Sequence, residues 1–117
     1  MNPRIESLEK MLNGPRDGAL LRFSLGNEYL KAGDPAKAAA CFKEAVDRDQ
    51  KYSAAWKALG KARAEAGDNI GCLTAYEQGI AVAEANGDIQ AAKEMTVFAN
   101  RARKALAGQA PATEPNT

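Results

Sequence analysis

The chain predicts an all-α fold, a stack of antiparallel helix pairs, and three observations carry that prediction. The first is an internal repeat. Leu25-Gly26 recurs as Leu59-Gly60, Ala32-Gly33-Asp34 as Ala66-Gly67-Asp68, and the aromatic Phe42 as Tyr76, every pair 34 positions apart. A fixed period of that length marks an array of supersecondary units, each burying its apolar face against its neighbour. The second is composition: residues 19–32 and 53–66 are rich in Ala, Leu, Lys and Glu and contain no proline, so they lose little on entering a helix. The third is size, since 117 residues of which 45% are hydrophobic suit a single core, assigned here to residues 1–107.

The elements follow in order. Residues 3–12 carry Ile5, Leu8, Met11 and Leu12 on one helical face, and Asn13-Gly14-Pro15 then breaks the chain, which predicts an N-terminal packing helix. The two repeats, about 19–52 and 53–86, each read as two helices. The first helices, 19–32 and 53–66, stop at Ala-Gly-Asp, where Gly33 and Gly67 supply the turn. Asp34 then caps a helix that has Pro35 in its first turn, where a missing N–H costs nothing, and Asp68 repeats the cap. The second helices run over 35–48 and 69–85. Gly26 and Gly60 let the partner helix of the pair approach closely, while Phe42 and Tyr76 fill the space between one pair and the next. From Asp88 a further helix through residue 107 sets Ile89, Ala92, Met95, Ala99, Ala102 and Leu106 at spacings of three and four, and it caps the last repeat. Residues 108–117, GQAPATEPNT, have two prolines and little apolar content, and a disordered tail is expected there.

Several function classes are disfavoured by what the chain lacks. Sixteen Lys and Arg against 15 Asp and Glu leave a formal charge of +1, so no whole-molecule field attracts nucleic acid or an anionic membrane. No apolar run approaches the ~20 residues of a membrane helix. The start, MNPRIESLEKML, has Glu6 and Glu9 where a signal peptide is apolar, so the expected location is the cytoplasm. There is no histidine, which removes the commonest general base and with it the Ser-His-Asp and Cys-His arrangements. Cys41 and Cys72 form no CxxC and read as reduced core residues, and no Gly-rich loop follows a strand to hold phosphate. The expectation is a non-enzyme with no catalytic residue, no cofactor and no metal.

These spacings resemble the tetratricopeptide repeat, whose pattern sets Trp, then Leu-Gly, then an aromatic, then Ala and Phe four apart, and a closing Pro. The second unit has Trp56, Leu59-Gly60, Gly67-Asp68 and Tyr76, with Arg63 at the aromatic, Cys72 for Ala and Glu84 for Pro. The first has Leu25-Gly26, Tyr29, Gly33-Asp34, Ala38, Phe42 and Ala45, with Arg22 for Trp and Gln50 for Pro. The missing prolines suggest that the helix ending near Ala85 runs longer than usual. The whole is similar to small free-standing bacterial repeat proteins. The resemblance implies an α-α superhelix of two full repeats with flanking helices, acting as a protein interaction module: a scaffold, an adaptor, or a chaperone for an assembly.

In such proteins the first helix of each pair lines a concave groove. Carried over residue by residue, the groove would take Leu20, Phe23, Asn27, Leu30 and Lys31 from the first unit, and Lys57, Lys61, Ala64 and Glu65 from the second. The last helix would add Met95 and Phe98. Leu20, Phe23 and Leu30 lie away from the face that Leu21, Leu25 and Tyr29 turn to the core. Either the N-terminal helix covers them with Leu8 and Leu12, or Phe23 stands exposed as a binding anchor. Lys57 and Lys61, four apart on one face with Lys31 near, suit an acidic peptide or a terminal carboxylate, or are simply a solvated face. The clamp with which some relatives hold acidic tails of heat-shock proteins does not carry over. Only Asn27 matches it, and Phe23, Ala58, Asp88 and Ala92 occupy its other positions. The expected ligand is a protein or peptide with acidic and apolar residues, bound by a monomer or weak homodimer. Self-association through the terminal helix is the alternative, because two repeats bury little on their own.

Overall fold

The computed structural model describes residues 2–109 and contains six helices in antiparallel succession: α1 (Pro3–Glu9), α2 (Ala19–Lys31), α3 (Pro35–Arg48), α4 (Ser53–Glu65), α5 (Asn69–Ala85) and α6 (Ile89–Gln109). Each packs on its neighbour in the chain, and α2 touches α4 and α4 touches α6 across the stack. Among the described residues there is no strand, and no helix is long and apolar enough to cross a membrane.

The turns form as the repeat dictates. Gly33 and Gly67 take the left-handed conformation with φ of 80° and 83°, which a side chain disfavours. After each, the Asp34 and Asp68 amides reach back to Tyr29 and Arg63 carbonyls at 2.9 and 2.8 Å, closing the helix end. Asp34 then accepts from the Lys37 amide, Asp68 from that of Gly71 and Asp88 from that of Ala91, so one residue ends a helix and caps the next. The α5–α6 turn repeats the device through Gly87, while the α3–α4 turn has no glycine. Helix α5 runs to 17 residues against 14 for α3.

The two repeat glycines seat aromatic rings. A Cβ on Gly26 would lie 2.6 to 2.9 Å from atoms of the Phe42 ring, and one on Gly60 2.5 to 2.7 Å from the Tyr76 ring. The rings therefore pack inside their own pair first, against the glycine, and only then reach the following helix. Phe42 is fully buried, in one cluster with Leu59, Ala62 and Val46. Gly79 does the same for the last helix, taking the Met95 sulfur and the Trp56 Cβ.

Four expectations are corrected. The N-terminal helix ends at Glu9, with residues 10–12 continuing as a turn. It does not cover the outer face of α2. Ile5, Leu8 and Leu12 pack on Leu25, Tyr29 and Cys41, leaving Leu20 68% exposed. Met95 is no groove residue: it is 0% exposed, because the Gly79 seat draws it into the core. Helix α6 reaches Gln109, so residues 108 and 109 of the expected tail are helical, and the rest of that tail lies outside the described residues.

Arg22, at the place of Trp56, is buried and ion-paired. Its Nε and Nη2 donate to the two Asp17 oxygens at 2.9 and 2.7 Å and its Nη1 to Glu44 at 2.9 Å. The guanidinium and the Asn13 amide hold the Asp17 carboxyl well below the usual carboxylate range. Trp56 performs the matching task 34 positions on: its indole N–H donates to the Gln50 carbonyl at 2.8 Å. Each ties the preceding loop to the stack with a different side chain.

Candidate binding groove

Helices α4 and α6 stand on either side of Tyr76 from α5, and between them runs a trough of about 490 Å³. Five of the expected residues meet there: Lys57, Lys61, Ala64, Glu65 and Phe98. Ala54 and Ala58 complete the α4 wall and the Tyr76 ring lines it from α5, so the lining is largely apolar. The Phe98 ring packs tilted against Tyr76, 5.5 Å between centroids and 38° between planes, and is only half buried. A second lobe of about 290 Å³ shares Ala64, Tyr76 and Phe98 and continues past Cys72 to Ala102 and Ala105, with Asn69 and Arg101 on its edge.

The other expected residues lie elsewhere, the exposed Leu20 and the buried Met95 among them. Phe23 and Leu30 are half-buried against the first core, with the Phe23 ring 5.7 Å from that of Phe42 and 5.0 Å from that of Tyr52. Phe23 is thus neither an exposed anchor nor covered by α1; rings from beneath and beside it hold it in place. Asn27 is half-buried, and Lys31 is exposed with its ammonium 3.4 Å from Glu28.

The repeat explains why one gap is filled and the other open. Shifting by 34 positions carries Phe23 onto Lys57 and Leu30 onto Ala64. In the first unit those two apolar side chains pack over the core that contains Phe42. In the second, Lys57 turns across to α6, where its Nζ lies 2.5 Å from Glu94 Oε1, and Ala64 is too small to reach over Tyr76. The hydrogen bonds from Lys57 and then Gln90 hold the Glu94 carboxyl below its ordinary value. Lys61, Glu65 and Arg101 make no ion pair among the described residues. The Arg101 guanidinium lies 5.6 Å from the Phe98 ring centroid.

The two thiols and the phenol in the trough favour their protonated forms. Burial pushes the Cys41 thiol up to about 11 and raises that of Cys72, and burial pushes Tyr76 up to about 12, so all three stay protonated. Among the described residues no three His, Cys, Asp or Glu side chains gather as a metal site. Ala54, Ala58, Tyr76 and Arg101 were missed from the sequence as groove residues. The first two had a signal: the 34-position shift sets Ala54, Ala58 and Ala64 against Leu20, Ser24 and Leu30.

A model of the tetratricopeptide repeat matches residues 19–62. A TPR repeat-containing protein of Pseudomonas aeruginosa is 55% identical over 101 residues, covering 86% of this chain and 96% of that protein. The chain belongs to the tetratricopeptide-repeat family. Among solved structures, a protein of Bordetella parapertussis superposes with a TM-score of 0.73 at 40% identity, over 89% of this chain and 90% of that one. The Sgt2 TPR domain from Aspergillus fumigatus gives 0.73 at 30% identity, over 97% of this chain and 75% of that one. The TPR superhelix is therefore the fold, and TPR architecture in general supports protein–protein interaction.

Proposed function

We propose that this TPR protein is a non-catalytic adaptor that binds a segment of another protein along the trough between α4 and α6. The observation that carries the reading is the trough itself: an apolar channel left open at the one repeat interface where Phe23 and Leu30 have no counterpart. Concave, mostly apolar sites with a few rim charges are the usual form of a ligand site. The buried thiols and the missing histidine favour binding over chemistry. The cytoplasm is the expected location, and a monomer or weak homodimer the expected state.

A photo-cross-linking amino acid placed at Lys61 in the trough, or at Asp47 on the exposed side of α3, tests this in lysate of the source cell. A protein captured only from position 61 supports the reading; equal capture from both positions contradicts it. Self-association is the second reading, favoured by α6, whose outer face has an exposed Ile89 beside a hollow edged by Glu84, Lys93 and Thr96. A mass that rises with concentration in sedimentation, and falls on Ile89→Glu, selects it.

A further inference from the structure

We infer that the trough reads an acidic, amphipathic segment that inserts two bulky apolar side chains, one on each side of the Phe98 ring. The inference rests on the groove-binding reading and adds the chemistry of the ligand. Its first support is shape. The two lobes, about 490 and 290 Å³, meet at Ala64, Tyr76 and Phe98, so the packed ring pair divides one continuous channel into two seats. The walls are alanines in both directions, Ala54 and Ala58 in the larger seat, Ala102 and Ala105 in the smaller. Small walls leave the bulk to the ligand, and apolar walls gain most when apolar side chains displace their water.

The second support is charge. Each seat has its own cation without an ion pair among the described residues, Lys61 at the larger and Arg101 at the smaller. Lys57 is already engaged by Glu94, which cancels that pair. Glu65 is the opposing carboxylate on the lining, so two available cations face one available anion. Rim charges of this kind choose partners and speed encounter, and these favour carboxylates near the inserted side chains. The chain's own residues 110–117, APATEPNT, include no Leu, Ile, Met or aromatic side chain of the kind the seats call for, so the ligand sought is a separate segment.

The test is selection of a random-peptide phage library on the full chain, followed by fluorescence anisotropy of the enriched peptides. Three proteins are compared: the wild type, Ala64→Leu, and Lys61→Glu with Arg101→Glu. Ala64 is exposed on α4, and leucine occupies the matching place at Leu30, so the first variant folds; circular dichroism verifies this. The expected peptides are net acidic with two large apolar residues. Ala64→Leu weakens them by more than about tenfold, and the charge reversal weakens them several-fold. Neutral or basic peptides, peptides with one apolar anchor, or unchanged affinity for Ala64→Leu overturn the inference while leaving an adaptor role intact. Failure to enrich any peptide counts against the adaptor reading as well. Self-association of the wild type that Ala64→Leu abolishes would overturn the choice of ligand by showing a second copy in the trough.

Discussion

The gap between α2 and α4 and the gap between α4 and α6 are built on one plan and end in different states. In both, an aromatic ring from the second helix of the pair sits on a glycine of the first, Phe42 on Gly26 and Tyr76 on Gly60. Above that ring the two diverge. Phe23, Leu30 and Tyr52 close the first gap, whereas Lys57, Ala64 and Phe98 leave the second as a trough. Residues that set helix spacing must repeat, because the distance between close-packed helices fixes their size. Residues that face outward across the gap are free to vary, and there the chain exchanges packing for an open apolar trough.

The largest effect expected from this comparison is a difference in aromatic truncation. Phe42→Ala should cost about 3–5 kcal/mol, as full burial dictates. Phe98→Ala should cost about 1 kcal/mol, roughly half the transfer free energy of a buried ring. Urea unfolding followed by Trp56 fluorescence measures both, and equal costs would mean that the second gap is packed like the first.

Next come the ring seats. Gly26→Ala and Gly60→Ala each gain about 1 kcal/mol of helix propensity and lose about 1–3 kcal/mol by overpacking the ring. Net destabilisation in both, read in the same unfolding assay, is expected, and a gain in stability would show that the rings can move aside. Smaller still is the exchange of plugs. Leu30→Ala should cost about 1–2 kcal/mol, less than a fully buried leucine, while Ala64→Leu should stay within about 0.5 kcal/mol of wild type. Thermal melts of the two variants check this asymmetry.

Smallest is a pH effect confined to the first unit. The folded Asp17 carboxyl titrates below its unfolded value of 3.8, so its stabilising contribution is complete above that pH and is lost as the pH falls below it. Melting temperatures measured from pH 6 down to pH 2 should therefore drop more steeply for the wild type than for Asp17→Asn, which starts lower. Parallel curves would remove Asp17 from the account.

Much of the framework was legible because the features that build helices are local. Ala-Gly-Asp ends one helix and caps the next, and the 34-position period exposes that device twice. The expected extra length of α5 is observed, but α3 lacks the closing proline as well and is three residues shorter, so the missing proline is not its sole cause. The groove was half legible. Lys57, Lys61, Ala64, Glu65 and Phe98 share the trough, yet Leu20, Phe23, Asn27, Leu30, Lys31 and Met95 lie outside it. Nothing local distinguishes Phe23 from an exposed anchor; its place depends on Tyr52, which sits beside it only after α4 docks. Met95 was misread for a similar reason, since its burial follows from Gly79 on the neighbouring helix. The Arg22–Asp17–Glu44 network was hidden because a charged residue replaces the tryptophan of the pattern, and its partners lie on a loop and on α3.

The second gap is an open apolar site and the first is closed, and a titration with indole, an apolar aromatic probe, followed by alanine methyl and aromatic NMR signals distinguishes the two. Saturable shifts are expected at Ala54, Ala58, Ala64 and Phe98, with Phe23 and Tyr52 unmoved. Shifts of equal size in both gaps, or none at the trough, would show that the two gaps do not differ in this way.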